Sequence, residues 1–178
     1  MIETHPFNPF VPPNVKCLVL GSFTGKQATK GTADYDASYD WYYGSRRSQF
    51  WLILERVYGV KLSNKNEKQG LFTRLGIAIS DIIYQCERKG DNNSDLNLRI
   101  ICYNTKAIKE ILDNNPIEKI YFTSRFVEQR YRKEFKEIIH RHPNVELITL
   151  PSPSPRFARM GNEEKIRIYK ELLPMEHK

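Results

Sequence analysis

The stretch Val15-Lys16-Cys17-Leu18-Val19-Leu20-Gly21 decides the fold class. Its apolar side chains are nearly continuous, which is typical of a strand buried on both faces of a parallel sheet. Downstream, strand patterns alternate with helix patterns, with helices at 50–57, 67–75, 105–112, 125–141 and 162–173 and strands at 117–122 and 144–150. Because such alternation builds a parallel sheet covered on both faces, the sequence predicts a three-layer α/β/α sandwich with a mainly parallel central sheet.

The composition is that of a globular protein with one domain. The chain has 178 residues, 40% of them hydrophobic and 28% charged. We expect residues 1–178 to form a single domain, with 1–14 as an extended, proline-containing N-terminal segment. Three widely separated cysteines give neither a disulfide framework nor metal-ligand spacing, which indicates a reducing cytoplasm and no metal.

The charge points to the class of partner. The net charge is +7, from 28 Lys and Arg against 21 Asp and Glu, which favours a polyanionic partner. No run approaches the ~20 apolar residues that a membrane span requires, so we expect no membrane partner. We also expect a monomer that needs no cofactor.

An aromatic and basic stretch follows the first strand, Tyr42-Tyr43-Gly44-Ser45-Arg46-Arg47-Ser48-Gln49-Phe50-Trp51. Aromatic faces beside guanidinium groups can hold a planar base and bind the phosphates around it. The same residues are equally consistent with a tyrosine-rich turn whose Phe50 and Trp51 open a buried helix that Ser48 caps and Gly59 ends.

Two further loops follow predicted strands, and because the carboxyl ends of parallel strands share one edge of a sheet, we expect 21–26, 42–48 and 151–156 to meet there. Gly21-Ser22-Phe23-Thr24-Gly25-Lys26 has a spacing that does not match a nucleotide-binding P-loop, which needs four residues between its glycines and Ser or Thr after the lysine. Pro151-Ser152-Pro153-Ser154-Pro155 is a stiff, extended loop that carries small hydroxyls, followed by Arg156 and Phe157. It is suited to contact a nucleic-acid backbone, although a proline-rich surface turn is the alternative.

Two other features have plain structural explanations. Asp81 lies in an apolar run, where a buried carboxylate bonded to backbone is favoured over a catalytic acid. His140 and His142 lack nearby ligands and indicate a surface pair. Residues 87–97 are predicted to form a charged loop.

Taken in order, these motifs resemble those of the uracil-DNA glycosylase superfamily, with the deoxyinosine (hypoxanthine) glycosylases as the closest branch. The resemblance rests on the three loops above and on Ile79-Ser80-Asp81-Ile82-Ile83-Tyr84-Gln85-Cys86-Glu87-Arg88-Lys89-Gly90, and it covers about 15–173. It implies a metal-free, monofunctional DNA repair enzyme that flips a damaged or mispaired base out of DNA and hydrolyses its N-glycosidic bond.

The resemblance also implies roles for individual residues. The base-binding pocket would be formed by Gly21, Ser22, Phe23 and Tyr43. The DNA-binding residues would be Arg46, Arg47, Ser154, Pro155, Arg156 and Phe157, with the last three probing the vacated base stack.

The chain departs from the superfamily at the group that positions water. Relatives carry Asp or Asn in the first loop, or Asn before the Phe-Trp pair, whereas this chain has Phe23-Thr24 and Ser48. The usual His-Pro of the second motif is Ser45-Arg46. The catalytic candidates are therefore Ser48, Ser152 and Asp40. The acids that could orient water are Asp34, Asp36, Asp40 and Asp81, and Asp40 is preferred because it is nearest in sequence to the aromatic motif.

Three functions stay open on the sequence. The first is a glycosylase acting on uracil or hypoxanthine in DNA. The second is a catalytically impaired DNA-binding module with the same fold, favoured by the missing Asn or Asp. The third, a nucleotide-binding protein using 21–26, is disfavoured by the P-loop mismatch.

Overall fold

The computed structural model describes residues 1–45 and 47–176. In this part of the chain the strands are β1 (Ile2–Thr4), β2 (Cys17–Gly21), β3 (Ile77–Asp81), β4 (Ile83–Arg88), β5 (Leu98–Tyr103), β6 (Lys119–Phe122) and β7 (Glu146–Thr149). The helices are α1 (Phe50–Tyr58), α2 (Lys65–Leu75), α3 (Thr105–Asn114), α4 (Arg125–Glu134), α5 (Lys136–Arg141) and α6 (Asn162–Leu172).

The central sheet has four parallel strands in the order β3-β2-β6-β7. The apolar run of β2 lies in the middle, and its five residues are all buried. In the register between β2 and β3, Cys17 pairs with Ile77 and Gly21 with Asp81, so a glycine and a carboxylate end neighbouring strands side by side.

Alternation along β2 divides the core between the two faces of the sheet. Cys17 and Val19 pack into the cluster that α1, α2 and α6 cover. Leu18 and Leu20 pack into the cluster that α3, α4 and α5 cover. The predicted three-layer α/β/α sandwich with a parallel sheet is confirmed.

A second, antiparallel sheet has the order β1-β4-β5 and was not predicted. The interpretation of residues 87–97 as a charged loop was wrong at its start, because Glu87 and Arg88 lie in β4. Their charges suggested a loop, but Arg88 is paired with Glu3 of β1, and both side chains are buried. The N-terminal segment thus contributes β1, and farther on Phe10 bridges to Ile79 of β3.

The end of α1 is set by a local sequence signal, whereas the break between α4 and α5 coincides with tertiary packing. Gly59 ends α1 in the left-handed conformation that favours glycine, as predicted. The single helix expected over 125–141 is broken at Phe135, whose ring is buried and stacks on Tyr131 with 4.9 Å between centroids. Across the described residues, no helix combines the length and apolar character needed to cross a membrane.

Candidate functional site

The three loops singled out in the sequence line one open cleft of about 780 Å³. It lies at the carboxyl ends of β2, β3 and β6, where parallel sheets place their ligands. The described lining residues come from 22–28, 91–93, 123–124 and 152–156, together with Asp34, Tyr39, Trp41, Tyr43, Gly44, Ser45, Arg47, Ser48, Asp81 and Asp95.

Gly21, predicted to form part of the base-binding pocket, is not among the described residues that line the cleft, but it lies directly beside them. A Cβ at this position would run into Tyr43 Oη and Asp81 Oδ1, well inside van der Waals contact. The next residue, Ser22, lines the cleft and donates a hydrogen bond from Oγ to Asp95 Oδ1 at 2.6 Å. The glycine therefore lets two polar side chains from other parts of the chain approach the end of β2.

Tyr43 is fixed from two directions. Its hydroxyl donates to Thr123 Oγ1 at 2.9 Å, and its ring stacks on Phe50 at 4.3 Å between centroids with 27° between planes. Its backbone has φ +55°, a left-handed conformation that costs a tyrosine about 1–2 kcal/mol. Burial, followed by the charge of Asp81, raises the pKa of its phenol well above the usual value. Tyr43 is therefore a neutral, rigid ring in the cleft wall.

The loop 151–156 is held by bonds at both ends. Tyr169 Oη donates to the carbonyl of Pro151 at 2.7 Å, and Lys165 Nζ donates to that of Ser154 at 3.3 Å. The Ser152 hydroxyl accepts from the Ser154 amide at 3.2 Å. Ser152, Ser154, Pro155 and Arg156 line the cleft. Phe157 is not among the described lining residues, and its ring faces Lys165 Nζ at 5.5 Å.

The rim of the cleft carries cations. Lys26, Arg47 and Arg156 line it, and Lys26 Nζ is paired with Asp34 Oδ2 at 2.8 Å. The amide of Lys26 donates to Asn93 Oδ1 at 3.0 Å, so a side chain already binds this part of the glycine loop. Arg46, predicted to bind DNA, lies outside the described residues.

The predicted catalytic residues have different surroundings. Ser48 and Ser152 line the cleft. Ser48 is not the cap of α1, because Gln49 takes that position, but its Oγ accepts from the Phe50 amide at 3.4 Å. Asp40 is exposed and is not among the described residues that line the cleft.

Two carboxylates lie near the floor of the cleft, of which the sequence named Asp81 as one candidate to orient water and did not point to Asp95. Asp81 Oδ2 lies 2.7 Å from His5 Nε2, in a pair whose side chains are 6% and 3% exposed. Asp95 accepts from Ser22, and burial raises the pKa of its carboxyl above the usual range, with the charge of Asp81 adding to the effect. Asp81 could be recognised in the sequence because it is a lone acid within an apolar run. His5 and Asp95 lie in segments with no periodic pattern, so only the fold brings them to the cleft.

The described residues contain no cluster of three or more His, Cys, Asp or Glu side chains that could hold a metal ion. His142 instead bonds through Nε2 to Asp113 Oδ1 at 2.9 Å, as part of a surface ion-pair group.

Comparison with known proteins identifies the fold. No protein-family model matches the chain, and no curated protein matches it. Among solved structures, it is similar to a solution NMR structure described as "a putative Uracil DNA glycosylase from Methanosarcina acetivorans". The match covers 97% of this chain and 99% of that chain, with 20% identity and a TM-score of 0.69. The chain therefore has the fold of that protein over nearly its whole length.

Proposed function

We propose that the protein is a monofunctional DNA glycosylase that hydrolyses the N-glycosidic bond of uracil or hypoxanthine in a nucleotide flipped out of DNA. The observation that carries this proposal is the convergence of Ser22, Tyr43 and Ser154 on one cleft. The cleft has the size of a small-molecule site, and an enzyme that acts on a base needs such a cavity to receive it. The description of the protein with the same fold as a uracil DNA glycosylase supports the same reaction class.

The aromatic residues of the cleft would bind the base. Phe50 covers one face of the Tyr43 ring, and the ring lines the cleft. A base stacked on it would meet a rigid partner, which reduces the ordering cost of binding. Phe23 would add apolar surface, and Ser22 a hydroxyl.

The rim would bind the DNA backbone. Arg47, Arg156 and Lys26 place positive charge around the opening, and the net charge of +7 favours a polyanion. Ser154 and Pro155 would contact the strand beside the flipped nucleotide. Phe157 packs near Lys165, so its proposed probing of the base stack would require that ring to leave this contact.

Water, rather than a lysine, would be the nucleophile. Lys26 is the described lysine that lines the cleft, and it is paired with Asp34. Ser48 and Ser152 would each contribute a hydroxyl that hydrogen-bonds water beside the sugar. The proposal makes no use of Asp40, because it is exposed and away from the lining residues.

The experiment uses labelled duplexes that carry a single uracil, hypoxanthine or xanthine, treated with alkali after incubation to reveal abasic sites. We expect strand cleavage by the wild type on at least one of the first two. Tyr43→Ala should lose both base excision and tight binding of the lesion duplex. Tyr84→Ala, which changes an exposed tyrosine of β4, is the matched control and should behave as wild type.

The outcomes separate the candidate functions. Lesion-specific binding without cleavage of any duplex would favour the DNA-binding module over the enzyme. Equal cleavage by the wild type and Tyr43→Ala would contradict the assignment of the base-binding cleft. Neither binding nor cleavage would overturn the proposed function.

A further inference from the structure

A buried histidine–carboxylate pair lies at the floor of the cleft. His5 follows β1, and Asp81 ends β3, 76 positions later in the chain. Their bonded atoms, Nε2 and Oδ2, are 2.7 Å apart. Asp81 nevertheless lines the cleft, so this carboxylate is shielded from bulk water but faces the space in which a substrate would bind.

The surroundings of His5 fix both the ring and its hydrogen. The Phe7 amide donates to Nδ1 at 3.2 Å, and the Phe7 carbonyl, 3.1 Å from Nδ1, would accept from a doubly protonated ring. In either state the hydrogen on Nε2 points to Asp81. The rings of Phe7, Phe23 and Tyr42 surround the imidazole, with centroids 5.3–5.8 Å away. His5 thus holds one carboxylate oxygen in a defined position.

The second oxygen of Asp81, Oδ1, is not the one that His5 binds. Oδ1 and the Tyr43 hydroxyl both lie next to the position that a Gly21 side chain would fill. The Tyr43 hydroxyl donates its hydrogen to Thr123 Oγ1, so it does not donate to Asp81. Because Asp81 lines the cleft and its Oδ2 is bonded to His5, Oδ1 is the oxygen left to accept a hydrogen bond from a molecule in the cleft.

Another buried ion pair of this protein differs from the His5–Asp81 pair in the number of carboxylate oxygens that are bonded. Arg88 Nε and Nη2 donate to the two oxygens of Glu3 at 3.1 and 3.2 Å, and both side chains are at most 6% exposed. That two-pronged bond occupies the whole carboxylate, as in a structural ion pair. The histidine bonded to Asp81 occupies only one oxygen, which leaves the other able to accept a hydrogen bond or a proton.

From this geometry we propose that Asp81 orients and deprotonates the hydrolytic water, and that His5 is the positioning residue that holds Asp81. The inference rests on the proposed glycosylase function and assigns the water-positioning role that Asn or Asp has elsewhere in the superfamily. The C1′–N bond breaks, and its electron pair leaves with the base. The water oxygen forms the C1′–O bond as one of its protons passes to Asp81 Oδ1, and that proton then returns through solvent to the departed base.

Three titratable groups face the pair. Tyr42 and Tyr43 stay neutral, because burial and the charge of Asp81 raise the pKa of both phenols. Asp95, across Ser22, has a carboxyl whose pKa is raised by burial and by Asp81.

The test measures single-turnover excision on the lesion duplex that the wild type cleaves, together with binding of a duplex that carries a non-hydrolysable 2′-fluoro nucleotide. Asp81→Asn should excise about 100-fold more slowly or worse, the range of general-base catalysis, with affinity for the fluorinated duplex changed less than 3-fold.

His5 variants test the positioning role. His5→Ala should be slowed about 10-fold or more, and His5→Gln, which keeps an N–H donor, should recover part of the rate. Glu118→Gln, an exposed carboxylate change before β6, is the matched control and should excise at the wild-type rate.

The failures are distinguishable. A wild type that cleaves nothing defeats the proposed function, and this inference with it. A wild type that cleaves while a folded Asp81→Asn cleaves at a similar rate overturns the assignment of Asp81 and leaves the glycosylase function in place. If Asp81→Asn does not fold, an equal excision rate for His5→Ala and wild type overturns the inference instead.

Discussion

Replacement of Gly21 by alanine should destabilise the protein through a contact that only glycine avoids. A Cβ at Gly21 would overlap Tyr43 Oη and Asp81 Oδ1. Neither group can move freely, because Tyr43 is held by Thr123 and by the ring of Phe50, and Asp81 is held by His5. The added methyl group must therefore break a hydrogen bond or shift the end of β2.

The magnitude follows from these contacts. Overpacking at a buried site costs about 1–3 kcal/mol, and loss of the Tyr43–Thr123 hydrogen bond adds about 1 kcal/mol. At about 2–4 °C per kcal/mol for a chain of this size, Gly21→Ala should lower Tm by about 4–15 °C. Gly70→Ala is the control: it lies inside α2, its Cβ would meet only Arg74 Nη1 at 3.6 Å, and it should raise stability by about 0.5–1 kcal/mol.

A double-mutant cycle in thermal or urea unfolding isolates the contact. Tyr43→Phe removes the hydroxyl that the new methyl group would meet, so Gly21→Ala should cost about 1 kcal/mol less in that background than in the wild type. The same cost in both backgrounds would refute the explanation, and so would a Gly21→Ala protein as stable as wild type.

Three further predictions concern the cleft and its rim. Burial raises the pKa of Asp95, so the folded state retains a proton that the unfolded chain releases, and wild-type stability falls as pH rises above about 4. Asp95→Asn should therefore have the same Tm as wild type near pH 4 and a Tm a few degrees higher at pH 7. A difference in Tm that does not change with pH would contradict this. Arg156→Ala should weaken DNA binding and reduce the slope of log K against log[salt] by about 1. Arg141 lies on α5 and is paired with Asp113 of α3, so Arg141→Ala should leave that slope unchanged. Leu96 is 88% exposed beside Asp95, so Leu96→Ala should slow excision from duplex DNA more than from single strands if it wedges into the stack, and equal slowing would exclude that role.

The sequence predicted the parts of the fold that have local causes. The buried run at 17–20 and the alternation of strands with helices determined the parallel sheet, and Gly59 marked the end of α1. The sequence also indicated that Ser22, Tyr43 and Ser154 would meet, because loops at the carboxyl ends of parallel strands share one edge. The structure places all three on one cleft, while their functional roles stay predictions.

The antiparallel sheet could not be predicted in the same way, because its signals are not local. Arg88 belongs to a polar segment, and only its pairing with Glu3 makes a buried strand residue of it. Asp40 was favoured by closeness in sequence but is not among the described lining residues, whereas Asp81 lines the cleft because its register with Gly21, rather than sequence distance, brings it there.

This division of the chain has a consequence for how the protein works. The parallel sheet positions the loops proposed to bind the base and the backbone, together with Asp81 at the end of β3. The antiparallel sheet positions two further side chains near the floor: His5 directly follows β1, and Asp95 begins the short helical turn Asp95–Asn97 that leads into β5. The His5 amide donates to the Tyr84 carbonyl of β4 at 2.8 Å, so the place of the imidazole depends on the pairing of β1 with β4. The Glu3–Arg88 ion pair joins those same two strands. Damage to that pairing should therefore impair excision before it impairs DNA binding, because the loops that bind are anchored on the other sheet.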